Sequence, residues 1–170
     1  MKPLTEQMAV YSAYHRHPVN RAIHFVFVPA IVWSLMVALG LIPLGAVAEV
    51  EVTLAHVATA ALLAYYLALD FPLGVAATVL FTVLLVAAFQ VVDLGAGTAL
   101  PAAGAAFVGG WAFQLVGHGV WERRRPALAD NLLQVFVAPI FLVAETAFSL
   151  GFRKPLHDDV RQRMAAHLPA

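Results

Sequence analysis

The chain has 170 residues, 62% of them hydrophobic and only 12% charged, with no net charge and no cysteine. Soluble domains carry about 25% charged residues, so neither a water-soluble globule with a polar shell nor a disordered chain fits this composition. Without cysteine there is no disulfide, thiolate nucleophile or iron–sulfur cluster, and without excess basic charge there is no general field for nucleic acid. Any metal must be held by histidine, carboxylate or carbonyl groups.

The first element is a short N-terminal segment, residues 1–21. Leu4, Met8, Tyr11 and His15 share one face at helical spacing, while Glu6 and Arg16 lie elsewhere. This reads as an amphipathic helix lying at a membrane interface and ended by Pro18. Five apolar windows follow, at about 23–44, 52–69, 72–92, 99–121 and 132–150. Each approaches the roughly 20 residues that a helix needs to cross a bilayer. The first begins too late and runs too long for a cleaved signal peptide. The breaks fall at Pro43–Gly45 with Glu49 and Glu51, at Asp70–Pro72, at Asp93–Gly97, and at Arg123–Pro126.

Charge placement orients these windows. The ten Lys and Arg residues sit at 2, 16, 21, 123–125, 153, 154, 161 and 163, and none lies between Arg21 and Arg123. Basic loops stay cytoplasmic, so the N-terminus is expected inside and four spans bring Arg123–Arg125 back inside. A fifth span would put Arg153, Lys154, Arg161 and Arg163 outside. The fifth window, with Pro139 in its middle and Glu145 deep within it, is therefore expected to be a re-entrant or broken helix packed on the bundle; five full spans is the alternative. The expected fold is all-α: a single integral-membrane domain with four spanning helices, divided into the interfacial segment 1–21, a bundle over 22–151 and a cytoplasmic tail over 152–170. Both termini would be cytoplasmic. An Arg-rich, Ala-rich composition hints at a bacterial inner membrane, with the endoplasmic reticulum as the eukaryotic counterpart.

Seven histidines supply most of the possible chemistry. The topology brings His15, His17, His24 (first turn of the first span) and His118 (last turn of the fourth) to one depth of one leaflet. Ionisable groups at membrane depth are costly and mark functional sites by default. Gln114, His118 and Glu122 fall at i, i+4 and i+8 and would stack along one helix face. A carboxylate one turn from an imidazole can ligate a metal with it or orient the ring. Imidazoles with a carboxylate and open positions suit non-haem Fe(II). Structural readings stand beside these. His17 is a surface or supporting group. His24 could reach the headgroups. Glu122 could simply pair with Arg125. His56 is structural, and His157 and His167 belong to the tail. Glu145 needs a partner such as Arg125, His118 or Asn131. Ala106-xxx-Gly110 permits close helix packing.

Tyr14-His15-Arg16-His17-Pro18-Val19-Asn20-Arg21-Ala22-Ile23-His24, followed by Val28-Pro29, resembles the opening motif of the membrane-embedded 2-hydroxy fatty acid dioxygenase family. Tyr65-Tyr66-Leu67-Ala68-Leu69-Asp70 resembles its middle segment, and the stretch from Gln114 through His118, Glu122 and Arg125 to Leu132 its longest motif. The resemblance spans roughly residues 8–152. It implies Fe(II)-dependent α-oxidation: a 2-hydroxy fatty acid and O2 give the fatty acid one carbon shorter, with CO2 and water. It implies His15, His24 and His118 as iron ligands, with Glu122, Asn20, Gln114, Asp130 and Asn131 as site or support residues. Arg125 or Asn20 would steady the substrate carboxylate. The expected partners are the 2-hydroxy fatty acid, O2 and the lipid bilayer, with no nucleic acid. The rival reading is a non-enzymatic or haem-binding small polytopic membrane protein.

Overall fold

The computed structural model describes residues 3–123 and 134–168. Helix α1 (Leu4–Tyr14) leads through a three-residue link into α2 (Pro18–Gly40). The Nδ1 of His17 caps α2 by accepting from the Val19 N–H (3.2 Å), and Pro18 occupies the first helical position, where no N–H is needed. A hairpin of β1 (Pro43–Val47) and β2 (Val50–Thr53) follows, antiparallel, with Val47 opposite Val50. Its two-residue loop puts Ala48 and Glu49 at φ 47° and 67°, the left-handed geometry that a tight hairpin requires.

Helix α3 (Leu54–Leu69) starts where His56 Nδ1 accepts from the Thr53 N–H (3.1 Å). At Asp70 the backbone extends for one residue before α4 (Phe71–Val92). One Asp70 oxygen caps α4 by accepting from the Leu73 N–H, and the other pairs with Arg153. Helix α5 (Ala96–Val116) passes directly into a wider π turn (Gly117–Glu122), after which Arg123 turns left-handed. The chain is described again in α6 (Gln134–Ser149), which bends by 117° into α7 (Lys154–Met164) and a short 3₁₀ turn (Ala165–His167).

Helix α2 is the hub, packing on α3, α4, α5 and α6, while α1 lies against α6 and α7. The α2–α5 contact is closest at Gly110, where a Cβ would come within 2.6 Å of Ile31 Cγ1. Phe27 and Phe113 stack across the same contact with ring centroids 4.4 Å apart. Tyr66 and Phe81 are buried together, and the Tyr66 hydroxyl donates to the Phe136 carbonyl (2.6 Å), tying α3 to α6. The outward faces are apolar: Val75, Val79, Val83 and Val86 form an exposed row along α4. Three helices are long and apolar enough to cross a membrane (Pro18–Gly40, Phe71–Val92 and Ala96–Glu122), and the bent α6–α7 pair makes a fourth candidate.

The structure departs from expectation in several places. The hairpin means the fold is not wholly helical. Its signal was the alternation of Val50 and Val52 with Glu49 and Glu51, a period of two. The second window yields a helix of 16 residues, shorter than a span. Pro139 does not break α6; the bend comes later, where Gly151 and Arg153 have φ of 81° and 58°. The tail is not free, because α7 packs on α1 and His167 bonds Glu6 (2.9 Å).

Gly110→Val should strain the α2–α5 contact and lower stability by about 1–3 kcal/mol, read as a lower unfolding midpoint in detergent.

Candidate metal centre

Three imidazoles converge at one end of the bundle. His15 follows the end of α1, His24 lies in the second turn of α2, and His118 lies in the π turn after α5. All three are buried, at 4%, 4% and 2% exposure. One ligand nitrogen from each lies within 4.8 Å of the others, so the group could hold a metal ion.

Proton placement explains why this arrangement asks for a cation. His15 Nδ1 lies 2.7 Å from the Tyr11 carbonyl, and His24 Nδ1 lies 2.9 Å from the Asn20 carbonyl. A carbonyl only accepts, so each Nδ1 carries a proton, and in the neutral ring each Nε2 then presents a lone pair. Those two Nε2 atoms stand 3.1 Å apart. Two lone pairs at that distance repel, whereas an ion bound to both resolves the conflict. Nitrogens about 2.1 Å from one ion and at a right angle to one another would be about 3 Å apart. The third ring completes the set, for His118 Nδ1 is buried with no hydrogen-bond partner among the described residues. The donors therefore fit a divalent metal of the kind that imidazole favours.

The surroundings favour the neutral form of His15. Tyr11 stacks on His15 with centroids 3.9 Å apart, and Phe141 packs against Tyr11 in turn. Burial, and then the neighbouring His24, hold the His15 pKa well below the usual imidazole value, and burial pushes the Tyr11 phenol up. Since the folded-state pKa of His15 lies below its unfolded value, folding favours neutral His15. This contribution is complete above the unfolded pKa and is lost as pH falls towards the folded one.

The π turn is fastened to the start of α2. Glu122 Oε1 accepts from the His17 backbone N–H (2.8 Å) and from Asn20 Nδ2 (3.2 Å). Asn20 is fully buried, and Gly117 is required beside it because a Cβ there would lie 2.3 Å from Asn20 Oδ1. Gln114 and His118 line one cleft, while His118 and Glu122 sit in a π turn rather than in a regular α-helix. Glu122 falls outside the ligand cluster among the described residues and instead braces it. Gln114 is buried in the wall of an apolar cleft with about 70 Å³ of free space. The three histidines stand at that cleft, and Val28, Ile31, Val32, Leu35 and Trp111 form much of the remaining wall.

On its other side His15 borders a polar cavity of about 400 Å³, where Arg16, Arg21 and Arg161 meet Glu145. Glu145 pairs there with Arg21, which is not a partner that the sequence suggested. His17 caps α2 and is not in the cluster. His56 lies against Phe89, and His157 stacks on Phe148 and lines the polar cavity that His15 borders; neither belongs to the ligand group. Arg125, Asp130 and Asn131 lie outside the described residues. Sequence reasoning treated Tyr11 only as part of an apolar face and passed over Gln134, which also lines the cleft. A lone amide opening the run Gln134-Val135-Phe136-Val137-Ala138-Pro139 was the available signal.

Comparison with known proteins gives the family. Residues 1–150, which contain all three histidines, match the family described as "Mpo1-like: 2-hydroxy-palmitic acid dioxygenase Mpo1-like". The chain belongs to the Mpo1-like family. It is 38% identical over 168 residues to a Saccharomyces cerevisiae protein named 2-hydroxy-palmitic acid dioxygenase MPO1, covering 94% of this chain and 92% of that one. No solved structure matches.

Two outcomes are expected. Metal uptake should approach about one ion per chain and drop sharply in His15→Ala, His24→Ala and His118→Ala, as measured by elemental analysis, while His17→Ala retains the metal. The metal-free protein should lose stability as pH falls below about 6.5, and a folded His15→Phe variant should show a flatter pH profile.

Proposed function

We propose that the chain is an Fe(II)-dependent dioxygenase that shortens 2-hydroxy fatty acids by one carbon at the cytoplasmic face of a membrane. The observation that carries this reading is the meeting of three neutral imidazoles with an apolar cleft. Family membership supplies the substrate class, because the yeast relative is named for 2-hydroxy-palmitic acid.

The overall reaction balances without further reagents. R–CH(OH)–COOH and O2 give R–COOH, CO2 and H2O, so the four electrons that O2 takes up come from the substrate. No reductant or co-substrate is needed. Bound iron would supply the redox and Lewis-acid chemistry that lets O2 react with the acid.

The chain's own residues prepare this step. Tyr11 and Asn20 carbonyls fix the His15 and His24 rings so that Nε2 faces the ion, an orientation known to matter for ligand basicity. Glu122 and Asn20 hold the π turn so that His118 closes the set. The cleft along α2 takes the acyl chain and keeps bulk water from the reacting end. Gln114 faces the polar head of the substrate from the cleft wall, and Arg125 is retained as a partner for its carboxylate. Apolar rows such as Val75, Val79, Val83 and Val86 lie against lipid in this arrangement. The basic residues of the polar cavity, Arg16, Arg21 and Arg161, then mark the cytoplasmic side.

Purified protein given Fe(II), O2 and 2-hydroxypalmitate should yield pentadecanoate. His24→Ala and His118→Ala should abolish the product, and Glu122→Ala should slow it about 10- to 100-fold by loosening the brace. An intact protein that binds iron but makes no pentadecanoate would sink the assignment, and a Soret band in the isolated protein would point to the haem reading. A single cysteine introduced at 155 should label only from the cytoplasmic side; labelling only from outside would overturn the proposed orientation.

A further inference from the structure

The cleft wall is apolar apart from the three imidazoles, the Tyr11 phenol and two side-chain amides, Gln114 on α5 and Gln134 at the start of α6. Gln134 is only 6% exposed, and its Oε1 is buried without a donor among the described residues. A buried acceptor left unmade forfeits the solvation it had in water and gains nothing in return. The Nδ1 protons of His15 and His24 do not serve it, since both go to backbone carbonyls.

Resting on the 2-hydroxy acid as ligand, we propose that Gln134 reads the 2-hydroxyl of the substrate and is the residue that separates 2-hydroxy fatty acids from plain fatty acids. An ionised fatty acid offers no donor anywhere along its length. A 2-hydroxy acid offers one, the O–H at C2, beside the carboxylate. A hydroxyl has one proton and two lone pairs, so it can donate to Gln134 Oε1 while its oxygen faces the histidine cluster. Gln114 stands one helical turn before His118 and presents its amide to the same region of the cleft. A plain fatty acid in the same position leaves Oε1 buried and unpaired. Sites built to bond a substrate hydroxyl reject the analogue lacking it for this reason. The shortened product has lost the hydroxyl, so the same atom that admits the substrate favours release of the product.

The test is equilibrium binding of 2-hydroxypalmitate and of palmitate to the metal-free chain, by displacement of a fluorescent fatty acid. The wild-type chain should prefer the hydroxy acid by about tenfold or more. In Gln134→Leu the hydroxy acid should bind more weakly and palmitate more tightly, bringing the ratio close to one. A purely structural role would shift both affinities in the same direction. Metal uptake by the three histidines verifies that the variant is folded, and Gln134→Met serves if Leu is not tolerated. The proposal is overturned if the wild-type chain shows no preference, or if a folded variant keeps it. Pentadecanoate formation together with an unchanged preference in Gln134→Leu removes the role of Gln134 and leaves the dioxygenase reading intact. A Gln134-dependent preference in a chain that makes no pentadecanoate does the opposite.

Discussion

Two unprotonated imidazole nitrogens held 3.1 Å apart are the feature on which the rest of this molecule depends. Nothing about the pair is favourable by itself. Both rings are buried, both are fixed by backbone carbonyls, and their lone pairs oppose one another. Such an arrangement persists only where the surrounding fold determines it, and a bound cation would relieve it. Each part of the local structure can be read as meeting that demand. Tyr11 and Phe141 wall His15 on one side, and the Asn20 carbonyl, one turn back along α2, holds His24.

The third ring is delivered by a different device. His118 lies in a π turn, whose wider bonding shifts residues away from the positions that a regular helix would give them. Glu122 secures that turn by accepting from the His17 backbone and from Asn20, both at the start of α2. One short stretch, from His15 to His24, thus provides two of the three candidate ligands and the anchor for the third. The approach is close enough that only glycine fits at 117. Acid and amide here fix the position of the π turn that carries His118.

How much of this was legible in the sequence depended on which physical signal was involved. The long apolar helices α2, α4 and α5 follow from uninterrupted apolar length, which is a property of composition. The three histidines were legible because charge placement puts the ends of distant segments at one depth. The hairpin was hidden by its brevity within a break that also contained Pro43 and Gly45. The π turn was hidden because the spacing of Gln114, His118 and Glu122 fits a regular helix equally well. Partners were the least legible level. Glu145 finds Arg21, and Arg153 finds Asp70, across sequence separations that no local pattern encodes. Gln134 was overlooked because its significance lies in a missing bond, which exists only once the surrounding wall is known.

The position of the cleft adds a constraint on how a substrate could lie. Its wall follows α2 from His24 to Leu35, eleven residues that rise about 16 Å at 1.5 Å each. That is about half the thickness of a bilayer's hydrocarbon core. Under the proposed orientation, His24 stands at the cytoplasmic end and Leu35 near the midplane, so the cleft occupies a single leaflet. A fatty acid in that leaflet already has its chain parallel to α2 and its polar end at the interface. Entry would then require sideways movement rather than inversion, and the acyl chain would exchange lipid contacts for similar contacts with Val28, Ile31, Val32 and Leu35. Because that exchange is nearly neutral in free energy, the apolar wall can provide little discrimination. Selectivity must come from the few polar groups at the cytoplasmic end, where the imidazoles and the two amides stand.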